Sequence, residues 1–152
     1  MNKTAPNPYL RTKIMTASAD ELRLMLYDGC LKFCRQAKAQ LVKEKPDFEQ
    51  VYENFMRAQK IVLELSTSLN HGVAPELCDK LASLYTYIYR LLVDANMDRD
   101  TDKIDEAIRL VDYERETWML YMQKNASLQP PAMGGAELNA QQTAISSLSK
   151  SA

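Results

Sequence analysis

The chain has 152 residues, 46% of them apolar and 26% charged, which is enough for one domain with a real core. A net charge of -1 leaves no basic footprint for nucleic acid, one histidine (His71) cannot build a multi-histidine metal centre, and four glycines leave almost nothing for phosphate-cradling loops. Eight methionines and eight tyrosines, by contrast, are an unusual pairing in a chain this small.

Residues 1–17 carry Lys3, Arg11 and Lys13 and no apolar stretch of the kind a signal peptide needs. Pro6 and Pro8 read as a non-helical arm, with Tyr9, Leu10, Ile14 and Met15 available for docking. Ser18-Ala19-Asp20-Glu21 reads as a capping box, in which the serine hydroxyl accepts from the amide of Glu21 and the glutamate reaches back. Apolar residues then recur at Leu22, Leu26, Gly29/Cys30, Phe33, Ala37 and Leu41, one helical stripe that Pro46 ends. Asp47, with Gln50 three residues on, is a second capping box, followed by a stripe of Phe48, Tyr52, Phe55, Val62, Leu65 and Leu69. Asn70-His71-Gly72 offers left-handed C-cap chemistry, and Pro75 suits the first turn of a third helix. That helix has the clearest period, at Leu77, Leu81, Leu84, Ile88, Leu91 and Ala95, before the polar stretch Asn96 to Asp100. Thr101 is the expected cap of a fourth helix, whose stripe is Ile104, Ile108, Val111, Trp118 and Met122.

Each helix spans about 23–27 residues, roughly 35–40 Å at 1.5 Å per residue. Connections this short force sequential neighbours to run antiparallel, and no alternating run suggests a strand. The expected fold is all-α, an antiparallel up-down-up-down four-helix bundle over residues 18–125 with a short N-terminal docking arm over residues 1–17. Residues 126–152 hold no aromatic side chain, Glu137 and Lys150 as their charges, and the pairs Pro130-Pro131 and Gly134-Gly135, so a disordered tail is expected. The longest clean apolar run, Leu24 to Tyr27, is far below the roughly 20 residues a membrane span requires. A cytoplasmic protein without membrane insertion is expected.

Little here resembles catalytic chemistry. Cys30, Cys34 and Cys78 are odd in number and unpaired in spacing, as in reduced buried thiols. Cys78 lies seven residues from His71, but the histidine precedes a helix break and no surrounding motif supports a Cys–His pair. The acidic group Asp98, Asp100, Asp102 and Asp105 lacks the glycine and the bidentate glutamate of an EF-hand loop. No enzyme, metal or cofactor is expected.

The more informative feature is an excess of apolar side chains beyond the roughly three in seven that a bundle core uses. Met25, Tyr27, Met56, Leu63, Tyr85, Tyr89, Leu92 and Met119 lie outside the main stripes, and Tyr and Met suit an adaptable apolar groove. Such a second face marks an interaction site, and amphipathic helical segments would fit it.

Several runs resemble one family. Thr16-Ala17-Ser18-Ala19-Asp20-Glu21-Leu22-Arg23-Leu24-Met25-Leu26-Tyr27-Asp28-Gly29 resembles the first-helix signature of the flagellin-specific export chaperones, the FliS family. Arg57-Ala58-Gln59-Lys60-Ile61-Val62-Leu63-Glu64-Leu65 and Leu84-Tyr85-Thr86-Tyr87-Ile88-Tyr89-Arg90-Leu91-Leu92-Val93-Asp94-Ala95-Asn96 resemble two more of its motifs, Trp118 stands at its fourth-helix tryptophan, and Asn7-Pro8-Tyr9 is similar to its N-terminal N-P-Y. Ala19, Thr86, Leu91 and Thr117 depart from the pattern. The resemblance implies a cytosolic helical bundle that binds the C-terminal segment of new flagellin, prevents its premature polymerisation and aids delivery to the flagellar type III export gate. The cytoplasmic domain of that gate and flagellar regulators are further implied partners. By position, Tyr9 and Leu10 would cap a groove, and the Tyr/Met excess would line grooves. Two rival expectations are a structural homodimer burying the same face, and an export or regulatory adaptor without flagellin as client.

Overall fold

A computed structural model describes residues 7–126, and these are helical with short connections: α1 (Pro8–Thr16), α2 (Ala19–Leu41), α3 (Phe48–Thr67), α4 (Pro75–Asp98) and α5 (Thr101–Ala126). No strand occurs among the described residues. The expected tail lies outside them, apart from Ala126. Among the described residues no helix is long and apolar enough to cross a membrane.

The arm is the first correction. Pro8 does not break structure there but opens α1 at its first position, where the missing N–H would be unsatisfied anyway and the fixed φ suits a helix. Asn7 is the cap: its side-chain oxygen accepts from the Tyr9 amide at 3.1 Å and the Leu10 amide at 3.5 Å. Nine residues form no long apolar stripe, so periodicity is silent. Ile14 alone of them is fully buried, with Leu10 packed against the core beside it.

The other caps follow expectation in part. The Ser18 hydroxyl accepts from the Glu21 amide at 3.2 Å, but no bond returns from the Glu21 carboxylate among the described residues. Asp47 accepts from the amides of Glu49 and Gln50 at 3.1 and 3.3 Å. Its own N–H is satisfied by Gln40, not Gln50, at 3.2 Å, while the Gln40 amide donates to Gln50 at 3.1 Å. Gly72 is not left-handed: Asn70 holds the turn instead, its side chain accepting from the Gly72 amide at 3.1 Å. The left-handed cap falls at Arg99 (φ 52°), where the Asp100 amide reaches back to the Ala95 carbonyl at 3.1 Å. Asp100, not Thr101, then caps α5 by accepting from the amides of Asp102 and Lys103.

Packing is cyclic: α2 lies against α3 and α5, and α4 against the same two. Trp118 near the end of α5 donates to the Asp20 carbonyl at the start of α2, at 2.9 Å. Lys38 near the end of α2 pairs with Asp105 near the start of α5 at 2.6 Å, so these helices run in opposite directions. Gly29 sits where α2 meets α3; a Cβ there would lie 3.2 Å from Ile61 Cδ1. The core takes Leu22, Leu26, Cys30, Phe33 and Ala37 from α2 as expected, and Phe55, Val62 and Leu65 from α3. Phe48, Tyr52 and Leu77, expected in core stripes, are exposed instead. Val51, Ala58 and Ile61 on α3 and Cys78, Tyr85 and Leu92 on α4 face inward, so the buried arc is rotated from the expected stripe.

Losing the Asn7 cap should cost about 1 kcal/mol. Asn7→Ala should therefore raise amide exchange across α1 about fivefold, with α2 to α5 unchanged in a hydrogen-exchange measurement.

Candidate partner-binding surface

The capped start of α2 carries a charge inward. Arg23 is 8% exposed, although it sits in an apolar core. Its guanidinium donates to the Tyr85 hydroxyl at 2.6 Å and to the Ser68 hydroxyl at 3.1 Å. The Tyr85 and Tyr27 hydroxyls share a hydrogen bond of 2.7 Å. The guanidinium carbon lies 5.6, 5.8 and 5.3 Å from the ring centroids of Tyr27, Tyr85 and Trp118, within cation–π range. Trp118 in turn stacks on Tyr121 at 4.8 Å. One side chain of α2 thus meets the end of α3, the middle of α4 and the end of α5. Burial pushes the Tyr85 phenol far above its ordinary range, so it stays a neutral acceptor and donor. Burial also raises the Asp20 and Glu114 carboxyls, with Arg23 pulling each back.

Around this core, apolar side chains remain uncovered. On α3, Phe48, Tyr52, Met56 and Leu63 fall at offsets of 4, 8 and 15 residues, which places them within an arc of about 80°. Phe48, Tyr52 and Leu63 are 43%, 55% and 48% exposed, and Met56 is half-buried. A second strip runs along α5 through exposed Tyr113 and Leu120, with half-buried Leu110 beside them, on the flank where the Tyr87 hydroxyl of α4 donates to Glu106 at 2.5 Å. The outer face of α2 differs, with exposed Asp28, Lys32, Arg35 and Gln36, and Asp28 paired with Arg115 of α5.

The residues expected to bind a partner divide into three groups. Tyr9 on α1 and Leu63 on α3 are exposed. Leu10, Met25, Met56, Tyr89 and Met119 are half-buried, each with part of its surface free. Tyr27, Tyr85 and Leu92 are core residues, at most 2% exposed, and the two tyrosines serve Arg23. Phe48, Tyr52 and Leu77 reach the surface although their spacing assigns them to the core; Tyr113 and Leu120 are also exposed. The available signal was Arg23 itself: a charge beside Leu22 with Tyr27 four residues on requires buried polar partners.

Cys78, His71, Asp98 and Asp105 each have a partner of their own. Cys78 donates to the Asn70 carbonyl at 3.3 Å, and His71 Nδ1 faces Asp79 at 3.7 Å. Asp98 pairs with Lys103 and Asp105 with Lys38.

Breaking the arginine knot should be costly, because the Tyr85 and Ser68 hydroxyls each lose a charged donor and a cavity opens between the aromatic rings. Arg23→Ala should lose about 3 kcal/mol in urea unfolding, and Arg23→Lys about half of that, since one ammonium cannot reproduce the planar fork. Glu114 gives a pH signature. Its raised folded pKa means that stability is fully present below the ordinary carboxylate value and lost as pH rises through the folded value. Glu114→Gln should therefore raise the urea midpoint at pH 7, with the gain shrinking towards zero as the pH falls to 4.

The chain is similar to known flagellar proteins. The family profile described as Flagellar protein FliS matches residues 1–125. The flagellar secretion chaperone FliS of Bacillus subtilis is 42% identical over 115 residues, covering 74% of this chain and 84% of that protein. The protein of the same description from Campylobacter jejuni is 33% identical over 117 residues, covering 77% of this chain and 90% of its own, and that from Salmonella typhimurium is 29% identical over 110, covering 72% and 80%. The chain belongs to the FliS family of flagellar secretion chaperones, which are not enzymes.

Proposed function

We propose that this protein binds the C-terminal segment of flagellin in the cytosol, prevents its premature polymerisation and delivers it to the export gate. In this reading α2 to α5 form an antiparallel four-helix bundle over residues 18–125, and α1 is the docking arm. The observation that carries the reading is the pair of uncovered apolar strips, on α3 and α5, in helices whose inward faces already fill a core. An amphipathic segment kept from assembling needs apolar surface in place of its normal partners, and strips on separate helices suit a client that wraps. Tyr9, with Leu10 beside it, caps part of that surface until a client displaces it. Tyr52, Met56, Leu63, Tyr89 and Met119 make the contacts, while Tyr27, Tyr85 and Leu92 hold the helices beneath them. The export-gate cytoplasmic domain and flagellar regulators would act on the loaded complex.

Isothermal titration with a peptide covering the C-terminal segment of the cognate flagellin tests this. Tight 1:1 binding is expected, and the absence of both heat and a complex on gel filtration would overturn it. Tyr52→Ser and Leu63→Ser should each weaken binding about tenfold, at ~1.4 kcal/mol per lost anchor, with the urea midpoint unchanged. Tyr9→Ala should speed client exchange while leaving the melting temperature within about 2 °C. A tight dimer in sedimentation that parts only on unfolding would favour the structural homodimer.

A further inference from the structure

Two ties set α3 against α4. The Arg99 guanidinium carbon, just past the end of α4, lies 3.6 Å from the centroid of the Phe48 ring at the start of α3. At the other end, Arg23 joins Ser68, just past the end of α3, to Tyr85 of α4. The two helices are antiparallel. Ile61 meets Gly29 of α2 and Arg57 lies over Phe33 of α2, so both mark the flank of α3 that packs on α2. Tyr52 is about 180° round from Ile61 at 100° per residue, which turns Tyr52, Met56 and Leu63 towards α4.

On α4, Tyr87 bonds Glu106 and marks the flank towards α5. Tyr89, Val93 and Met97 follow in steps of four within an arc of about 80°, whose middle is about 120° round from Tyr87. They lie on the flank towards α3. Tyr89 and Val93 are half-buried, and Met97 is 76% exposed. Side chains of both helices thus floor one apolar groove, which Phe48 and Arg99 close at one end.

The rims of this groove carry charge in order. Lys60 stands four residues after Met56 and three before Leu63, and Arg90 three before Val93, so each borders the groove from its own helix. Between the two ties, Lys60 is twelve of twenty residues along from Phe48 to Ser68, and Arg90 nine of fourteen along from Arg99 to Tyr85. The two cations are level across the groove. Glu49 and Glu53 stand on the α3 rim three residues before Tyr52 and Met56, with Glu53 two turns from Lys60. All four are exposed, and none forms an ion pair among the described residues. Neighbouring helices sit about 10 Å apart, a gap that a lysine and an arginine close together onto one carboxylate. A bare apolar strip accepts any apolar stripe, whereas opposite charges at two heights of one groove select among them.

We propose that the α3–α4 groove takes an amphipathic helix of the client that carries a carboxylate between Lys60 and Arg90 and a basic side chain two turns away, beside Glu53. The identity of the client rests on the flagellin reading above; the charge selection does not.

Two amphipathic helical peptides with the same apolar stripe test this by isothermal titration against the full chain. One carries Glu at the edge of the stripe and Lys two turns on; the other carries Lys at both places. In about 0.1 M salt, where the Debye length is ~10 Å, the Glu/Lys peptide should bind about tenfold tighter. In about 1 M salt, at ~3 Å, the preference should largely vanish. Equal affinities, the opposite preference or no binding of either peptide would overturn the proposal, as would a preference that salt leaves unchanged. K60E/R90E should reverse the preference, and K32E/R35E, on the outer face of α2, should leave it. A preference unreversed in the first variant, or lost in the second, would overturn its assignment to this groove. The flagellin peptide should compete with the Glu/Lys peptide. Flagellin peptide that binds without competing would overturn the client's use of the groove. If it does not bind at all, the flagellin reading fails and the charge selection is decided by the two helical peptides.

Discussion

The structure depends on where one guanidinium is kept. Arg23 is buried without a hydrogen-bonded carboxylate among the described residues, a costly position for a charge unless other groups replace water. Two hydroxyls and three aromatic faces do so here. They come from four helices, so the requirement to solvate one charge fixes how those helices sit together. Apolar packing alone tolerates sliding and rotation at modest cost, but a planar fork with two acceptors does not. The residue next to Arg23 on the chain, Leu22, is fully buried, so the knot and the packing cannot shift independently.

This accounts for which aromatic residues are available to a partner. Tyr27 and Tyr85 have the composition of groove-lining residues, and their rings and hydroxyls are consumed inside. Trp118 is half-covered, holding Asp20 by its indole N–H and Arg23 by its face, and passes the contact outward to Tyr121. The surface strip therefore begins where the knot ends. A partner touching Tyr121 or Met119 meets helices whose spacing is set from below, and a rigid platform loses less entropy on binding than a yielding one.

Much of the fold was legible in the chain, because helix punctuation is local. Ser18, Asp47 and Pro75 each start a helix where their chemistry places one. The misreadings are local too. Asn7-Pro8 is itself a cap and first-position pair, yet proline also breaks helices, and nine residues give periodicity nothing to detect. Gln40 displaced Gln50 at the second cap because a side chain from the preceding helix reached the same amide, a contact no spacing rule contains. The surface was less legible. Exposure of Phe48, Tyr52 and Leu77 depends on a rotation of α3 and α4 of a fraction of a turn, smaller than the breadth of an apolar stripe. Which tyrosines are core depends on Arg23, and nothing in a period of 3.6 distinguishes a tyrosine that solvates a charge from one that waits for a partner.

The partial exposure of the strip has an energetic consequence. Complete burial of a leucine side chain contributes about 2 kcal/mol, and Leu63, 48% exposed, has about half of that left to gain. Tyr52 and Phe48 stand at similar values. A surface of this kind holds another chain by many contributions of about 1 kcal/mol each, not by one deep anchor. Such a grip is tight when a segment lies along the whole strip and fails stepwise as the segment peels away. A chaperone needs both properties, since its cargo must be held against aggregation and then surrendered. The fully buried side chains cannot provide this, because they have nothing left to gain, and the charged outer face of α2 offers little apolar area. On the proposed function, the half-covered strips on α3 and α5 are where the two demands would be compatible.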